Sequence, residues 1–295
     1  MSRPPGRLAP ALCLLALALL LAASACVRQP APGPGTTVPA PTPGAERQWR
    51  FAYAPGSYTY VVEQSAVIDL AGDTAGARDS VRTSAVVHYR LTSAPKGLAV
   101  AGSVDSFQVV AGRSGGVQRP LGAPVAFEAV IDTALHRVSL LGAMADAGTA
   151  PDCTSPARTL ALTARDLLVA LPARLETGQS WRDSLTTITC RGDIPITNRI
   201  EHRYEVEGRD TYAGVAAVRL RRAARTTLEG SASPRGIAVS LTGEGNGDTR
   251  LWVDAASGRL LGATGEATTR LTLEAAGTSR TLTQRAVQRV SLRGL

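Results

Sequence analysis

The chain of 295 residues is poor in aromatic side chains, which make up 4% of it. Proteins that stack single-stranded nucleic acid or cage quaternary amines need clustered aromatic rings, so these classes are disfavoured. Four cysteines are too few for a disulfide-dense miniprotein, and they leave no all-cysteine zinc site once two are assigned elsewhere. Hydrophobic residues nevertheless reach 44%, which is enough to build a full-sized core.

Lysine is almost absent, because Lys96 is the only lysine among 32 basic residues and the formal charge of +8 rests on arginine. The densest arginine group, Arg219, Arg221, Arg222 and Arg225, lies in an alternating, strand-like run rather than in a basic stripe or tail. We therefore expect no nucleic-acid partner. A mildly basic surface weakly favours anionic lipid headgroups.

The N-terminus has the order of a secretory signal. Arg3 and Arg7 precede an almost unbroken apolar run over residues 8–25, which ends in small residues. At 18 residues this run is at the lower limit for a membrane span, so an uncleaved anchor is the main alternative.

The end of this run, Ala23-Ser24-Ala25-Cys26, resembles the lipobox of bacterial lipoproteins. The resemblance implies that residues 1–25 are a signal peptide and that Cys26 is acylated, so that acyl chains hold the protein on a membrane. A generic leader that ends in a chance cysteine is the alternative. The residue after Cys26 is Val27 rather than Asp, which in such lipoproteins implies the outer membrane, facing the periplasm or the cell surface.

Residues 26–47 follow as a tether. Prolines recur through it at Pro30, Pro32, Pro34, Pro39, Pro41 and Pro43. Such a segment cannot pack as helix or strand, and at ~3.1 Å per residue it could reach roughly 65 Å. It predicts a spacer between the lipid surface and a folded domain.

Residues 48–295 read as one β-rich domain, because the dominant signal is an alternation of period two. Its apolar positions include Tyr58, Tyr60, Val62, Ala66, Ile68 and Leu70, then Val81, Ala85, Val87 and Tyr89. The last hundred residues predict a meander of strands over 215–229, 237–254, 259–275 and 279–292. Leucines at helical spacing between Ser155 and Pro172 predict one helix of about three turns. The fold class expected is mainly β: a long, curved antiparallel sheet, as a half-barrel or open barrel, with one short helix packed on it.

Gly243, Gly245 and Gly247 fall on one face of a predicted strand. No helix pattern follows them, so a phosphate-binding loop is not indicated. A bend in a long curved strand and a hairpin tip are both compatible with this spacing. We favour the bend, because neighbouring turns already account for the chain reversals.

Two passages resemble uncharacterised bacterial lipoproteins that carry a long-stranded domain. One is Leu168 to Pro172 followed by Gly178-Gln179-Ser180-Trp181; the other is the predicted hairpin from Trp252 to Leu260. More loosely, long curved strands with one helix are similar to the half-barrel of periplasmic lipoprotein carriers. The resemblance implies a fold and carries no functional residue over.

Cys153 and Cys190 remain after the leader, which contains Cys13, is removed. An even pair in an oxidising compartment predicts a disulfide, with two free thiols as the alternative.

No catalytic constellation stands out. Ser114 lies in Gly112-Arg113-Ser114-Gly115-Gly116, which matches Gly-x-Ser-x-Gly, but no helix pattern follows as a nucleophile elbow requires. The three histidines, His88, His136 and His202, share no metal-ligand spacing. We expect no enzyme activity, no metal and no cofactor.

The leading hypothesis is a binding protein whose concave sheet holds a lipid or another hydrophobic ligand. The candidate lining residues are Tyr58, Tyr60, Tyr89, His202 and Tyr204. The alternative is a structural or assembly module with its concavity filled by side chains and its function in an envelope protein partner. A hydrolase using Ser114 is a third, less favoured hypothesis.

Overall fold

A computed structural model of the chain describes residues 48–51, 54–70, 78–112, 116–118, 123–142, 153, 155–191 and 194–294. The predicted signal peptide, Cys26, the tether and Ser114 lie outside these residues, so their roles stay predictions.

The described part contains fourteen strands and one α-helix. The strands of the first half are β1 Gln48–Arg50, β2 Gly56–Leu70, β3 Arg78–Ala94, β4 Gly97–Ala111, β5 Gly116–Gln118, β6 Val125–Asp132 and β7 Arg137–Leu140. The helix α1, Ala157–Arg165, separates them from β8 Arg174–Glu176, β9 Ser180–Arg191, β10 Ile194–Tyr212, β11 Val215–Ala232, β12 Val239–Asp254, β13 Leu260–Ala275 and β14 Thr278–Leu292.

Twelve strands form one antiparallel sheet that curls into a nearly closed barrel. Its hydrogen-bonded order is β7-β6-β4-β3-β2-β14-β13-β12-β11-β10-β9, with β5 paired to β4. The strands β1 and β8 form a separate two-stranded ribbon. The mainly-β, half- or open-barrel prediction is therefore confirmed, and the predicted C-terminal meander matches β11 to β14 within a few residues.

The period-two alternation defines an inner face that carries the buried side chains. On β10, the buried positions from Ile194 to Val206 alternate strictly with intermediate or exposed ones. Because directly paired residues of antiparallel strands share a face, burial on one strand extends to its neighbours. The inner faces of both halves of the sheet meet α1 in one core cluster that includes Val87, Leu220 and Leu251.

We call the end of the barrel that carries the β12–β13 turn (255–259) the helix end, because the C-terminus of α1 lies there. The hydroxyl of Tyr60 donates to the carbonyl oxygen of Leu260 across this end. The ribbon packs against the same core through Trp49 and Leu175. The opposite end, with the β11–β12 and β13–β14 turns, is the far end, and it has a smaller apolar cluster of its own.

The helix is shorter than its leucine spacing predicts. It ends at Arg165 rather than near Pro172, and Asp166 is its C-cap. The amides of Leu167 and Leu168 make tight three-residue bonds back to Ala164 and Arg165. The chain then continues without regular structure to β8. Leu167 and Leu171 are therefore buried outside the helix.

The glycine triplet lies inside the continuous strand β12, so the hairpin tip is wrong, and the bend stays a prediction. Gly243 is paired with Leu271 and Gly245 with Thr269 on β13. A Cβ built on Gly245 would lie 2.8 Å from the Thr269 hydroxyl oxygen. The glycines therefore admit a curvature at which the neighbouring strand occupies the space of their side chains.

Candidate functional site

The tyrosines predicted to line the concavity on β2 and β3 lie at the helix end of the inner face. Tyr58 is paired with Tyr89, and the Tyr60 ring makes an edge contact with the Tyr89 ring at a centroid distance of 5.6 Å. Tyr60 and Tyr89 are buried, whereas Tyr58 is partly buried. The Tyr89 hydroxyl donates to the carbonyl oxygen of Ala164 on α1 at 2.6 Å. These rings hold the helix and the sheet together.

The remaining two predicted lining residues lie on the opposite wall, on β10. Tyr204 is stacked on Trp181 of β9, with ring centroids 4.9 Å apart. The His202 ring contacts Tyr204 edge-on at 5.9 Å. Both are buried, so the five candidates form two groups fixed on separate walls. Their contact with a ligand stays a prediction.

Burial sets the charge state of these groups. It raises the pKa values of Tyr60, Tyr89 and Tyr204, so these phenols stay neutral. Burial, assisted by Arg222, lowers the pKa of His202 to about 4, and His202 is therefore a neutral imidazole at pH 7. Its Nδ1 atom has no hydrogen-bond partner among the described residues.

The helix α1 closes the space between the two terminal strands of the sheet. It packs on β4, β6 and β7 on one side and on β9 on the other. Arg165, in its last turn, reaches both sides. Its Nε and Nη2 atoms donate to the carbonyl oxygen of Val138 on β7, at 3.1 and 2.6 Å. Its Nη2 atom also lies 3.9 Å from a carboxylate oxygen of Asp183 on β9.

The buried polar groups around Arg165 form a network. Arg165 is 3% exposed, and its Nη1 atom donates to the Asp166 carboxylate at 3.1 Å. Arg222 on β11 donates to the carbonyl oxygen of Asp166 at 3.1 Å, at the C-terminus of the helix. Burial raises the pKa of Asp183, and the nearby Arg165 opposes that shift. These contacts fix α1 against both walls, and a cation in the last helical turn also suits the helix dipole.

A small cavity lies beneath α1, on the side of β2, β3 and β4. Its volume open to the centre of a water molecule is about 20 Å³. Most of its wall is apolar. The lining residues are Val62, Gln64, Thr83, Ala85, Val87, Val104, Phe107, Leu160, Thr163 and Ala164. Packing between the helix and the sheet is therefore incomplete at this position.

The predicted disulfide is present. Cys153 and Cys190 are bonded, with Cα atoms 5.3 Å apart, and they close a loop of 37 residue steps. The bond links the segment before α1 to the C-terminal end of β9. It therefore ties the helix to the terminal strand on which it packs.

The histidines do not gather. His88 lies within 3.0 Å of the Thr59 hydroxyl. Within the described ranges, no three His, Cys, Asp or Glu side chains converge as metal ligands. The same part of the chain contains no helix with the length and apolarity that crossing a bilayer requires.

Comparison with known proteins finds no matching family profile and no matching curated protein. Among solved structures, the chain has a weak likeness to DynF from the dynemicin biosynthesis pathway of Micromonospora chersina. The identity is 11% and the TM-score 0.22, over 88% of this chain and 92% of that one. A DUF1329 family protein from Desulfovibrio piger is 12% identical, with a TM-score of 0.16, over 81% and 88% of the two chains. The lipoprotein resemblance of the sequence stays a prediction.

Sequence reasoning missed two residues that the structure singles out. Arg165 and Arg191 are both buried, at 3% and 2% exposure. Arg165 stands at the end of a leucine-rich helix, where its position in the last turn was a usable signal. Arg191 follows Cys190 at the predicted end of a strand, and its burial depends on the curl of the sheet, which alternation alone does not specify.

Proposed function

We propose that the chain is a non-enzymatic, membrane-anchored envelope lipoprotein that binds a hydrophobic ligand between α1 and the inner face of its barrel. The observation that carries this proposal is the apolar cavity between α1 and strands β2–β4. Ligand sites are concave, mostly apolar and provided with a few polar groups, and this cavity has Gln64, Thr83 and Thr163 among apolar neighbours.

The cavity is far smaller than a lipid, so binding requires α1 to move away from β2–β4. The helix is suited to this because it belongs to no strand ladder, and the contacts around Arg165 anchor its C-terminal end. Along the seam formed by Leu160 and Thr163, the Thr163 hydroxyl donates within α1 to the Thr159 carbonyl oxygen rather than to the sheet. A hydrophobic chain that enters this seam would exchange water for apolar contacts.

The membrane anchor is proposed from the sequence. Residues 1–25 would be removed, Cys26 would carry the acyl chains, and residues 27–47 would connect the outer membrane to β1. Because β1 begins at Gln48 and packs at the helix end, the tether would join the barrel there. Treatment of cells with globomycin is expected to accumulate the unprocessed precursor. Normal maturation in its presence contradicts the lipoprotein proposal.

The ligand site is tested with an uncharged apolar probe. We expect 1-N-phenylnaphthylamine to bind the full chain with a fluorescence increase, and the Ala85→Leu variant to weaken this binding by about tenfold because its side chain fills the cavity. Ala101→Leu is the matched control, since Ala101 is exposed on the adjacent strand β4. Equal binding by the two variants would place the probe elsewhere and overturn the assignment.

Native mass spectrometry supplies a second readout. Protein extracted from membranes in a mild detergent is expected to carry a co-purifying lipid-sized adduct, which Ala85→Leu loses and Ala101→Leu retains. A bare protein mass in both variants and in the wild type counts against a resident ligand.

The assembly-module alternative is favoured by a different observation, the dense packing of the helix end. Tyr60, Tyr89 and Tyr204 are buried, and the Tyr60 and Tyr89 hydroxyls bond to backbone carbonyls, so their rings serve the core. In that case the function lies on the outer surface. Crosslinking in cells is expected to give one dominant protein adduct under this alternative, and none under the ligand-binding proposal.

The hydrolase hypothesis has one direct test. A fluorophosphonate probe is expected not to label Ser114. Labelling that disappears in Ser114→Ala would replace the non-enzymatic proposal.

A further inference from the structure

Arg191, the last residue of β9, is a buried cation on the inner face toward the far end. It is paired in the sheet with Ile194 of β10 and is 2% exposed. Within the described part of the chain it has no ion pair, and its Nη1 atom has no hydrogen-bond partner. An unpaired charge removed from water is among the costliest features a folded protein can hold.

The electrostatics of Arg191 agree with this isolation. Burial lowers the pKa of its guanidinium to about 9, and no carboxylate among the described residues opposes the shift. The group is therefore still charged at pH 7. Arg165 is equally buried, yet it has a carbonyl oxygen and two carboxylates as partners. A buried arginine in this fold can therefore have partners, so burial alone does not explain why Arg191 has none among the described residues.

A second buried polar group on the inner face of β9 is also incompletely paired. Thr187 on β9 is 1% exposed, and its hydroxyl lacks a partner among the described residues. Between Arg191 and Thr187, the Thr189 hydroxyl accepts a hydrogen bond from Asn198 at 2.9 Å. Buried polar atoms are normally satisfied, so the unsatisfied Nη1 atom of Arg191 indicates a missing partner.

We propose that this part of the inner face binds a single oxyanion, a carboxylate or a phosphate, through the guanidinium of Arg191. Guanidinium groups match these oxyanions with paired, charge-assisted hydrogen bonds. One cation without a carboxylate partner calls for one negative charge. This inference is independent of the proposed apolar site beneath α1, because it rests on different residues.

The surroundings of Arg191 narrow the ligand class. Its paired neighbour Ile194 belongs to the far-end apolar cluster with Ile196, Leu241 and Leu271. Apolar neighbours favour an oxyanion attached to an apolar chain over a free inorganic ion. An anionic amphiphile is therefore expected to bind more tightly than acetate or inorganic phosphate.

The test measures ligand-induced shifts in the melting temperature of the full chain, below the micelle concentration of each probe. The probes are sodium decanoate, decyl phosphate, decanol, acetate and inorganic phosphate. We expect saturable stabilisation by decanoate, decyl phosphate or both, with decanol at least about tenfold weaker. A response to inorganic phosphate that equals the response to decyl phosphate would assign the site to a free ion rather than an amphiphile and still support the oxyanion.

Two variants separate a binding role from a structural one. Arg191→Met removes the cation and keeps an apolar side chain of similar length, so it should abolish the oxyanion response and leave the ligand-free protein at least as stable as the wild type. Arg199→Met is the control, because Arg199 is exposed and paired with Glu229 on the outer surface.

Three results would overturn the inference: no response of the wild type to any oxyanion, an unchanged response in Arg191→Met, or a ligand-free Arg191→Met protein that is clearly less stable. The Ala85→Leu variant distinguishes the two sites. It is expected to lose the apolar probe while it keeps the oxyanion response, so either proposal can fail alone.

Discussion

The helix end and the far end of the barrel each bury an arginine, and they treat it in opposite ways. Arg165 at the helix end donates to Val138 and Asp166 and lies near Asp183, so it joins α1 to both terminal strands. Arg191 toward the far end has no such partners among the described residues, and its paired residue Ile194 belongs to the far-end apolar cluster. In a paired buried cation the partners offset much of the desolvation penalty, whereas in an unpaired one nothing offsets it.

This difference distinguishes a buried charge that stabilises the fold from a buried charge that serves a ligand. A polar group that holds a fold together is satisfied by the fold itself. A polar group that lowers stability persists where a ligand gives it a purpose, since natural proteins commonly give up stability at binding sites. By this criterion the network around Arg165 is scaffold, and Arg191 is a candidate site.

The largest effect is expected from Arg165→Met. It leaves the Val138 carbonyl and two carboxylates without their cation, and the free energy of unfolding should fall by about 3–5 kcal/mol. Urea unfolding at pH 7 measures this value. Arg199→Met, which breaks an exposed pair, should change it by only about 0–1 kcal/mol. A loss below about 1 kcal/mol in Arg165→Met would remove the contrast between the two ends.

The disulfide links the start of the helix segment to β9, which carries Arg191 at its end. Replacing both Cys153 and Cys190 with serine opens a loop of 37 residue steps and should reduce the free energy of unfolding by about 3–4 kcal/mol. Reduction of the wild-type protein with dithiothreitol should give the same value. If neither treatment shifts the urea midpoint, the bond is not a constraint on the unfolded chain.

His202 gives the helix end a pH dependence. Its folded pKa is about 4 against 6.5 for the free side chain, because burial disfavours the charged ring; Arg222 and Arg165 add to this and Asp166 opposes it. The neutral form is thus favoured by folding. The resulting stability is complete above about pH 6.5 and is lost as the pH falls toward 4, by about 3 kcal/mol.

The His202→Gln variant isolates this contribution. The difference in unfolding free energy between pH 7 and pH 4 should be smaller in the variant than in the wild type by about 3 kcal/mol. His88→Gln keeps His202 and should retain the wild-type slope. Parallel pH curves for wild type and His202→Gln would show that His202 is not buried in its neutral form.

The sequence predicted the strands well because their information is local. Alternation placed Tyr60, Val62 and Val87 on one face, and burial on the inner face agrees. Turn chemistry located the β13–β14 reversal at Ala276-Gly277, where both residues have positive φ values of 48° and 75°. The even cysteine count predicted the disulfide. None of these inferences needed knowledge of the tertiary arrangement.

The candidate site was predicted only in part, because its features depend on how the sheet closes. The five lining candidates do lie on the inner face, yet alternation could not distinguish a hollow wall from rings that hydrogen-bond to the core, as Tyr60 and Tyr89 do. The partners of Arg165 come from β7 and β9, strands that meet only through α1. The burial of Arg191 likewise follows from curvature, which period-two patterns leave undetermined.

The smallest effect concerns the curvature itself. A Cβ at Gly243 would lie 2.5 Å from a Leu271 methyl carbon and 2.7 Å from the Arg270 carbonyl oxygen, and the backbone atom cannot move aside as a side chain can. Gly243→Ala should therefore lower the free energy of unfolding by about 1–3 kcal/mol. Thr242→Ala is the control, because Thr242 is exposed on the outer face of the same strand.

Since Leu271 belongs to the far-end cluster with Ile194, strain at Gly243 should also weaken the oxyanion response measured by melting. The same variant should leave the apolar-probe response beneath α1 unchanged. A variant that loses both responses equally would mean that the two ends of the barrel are not independent, and the contrast between Arg165 and Arg191 would then describe one coupled core.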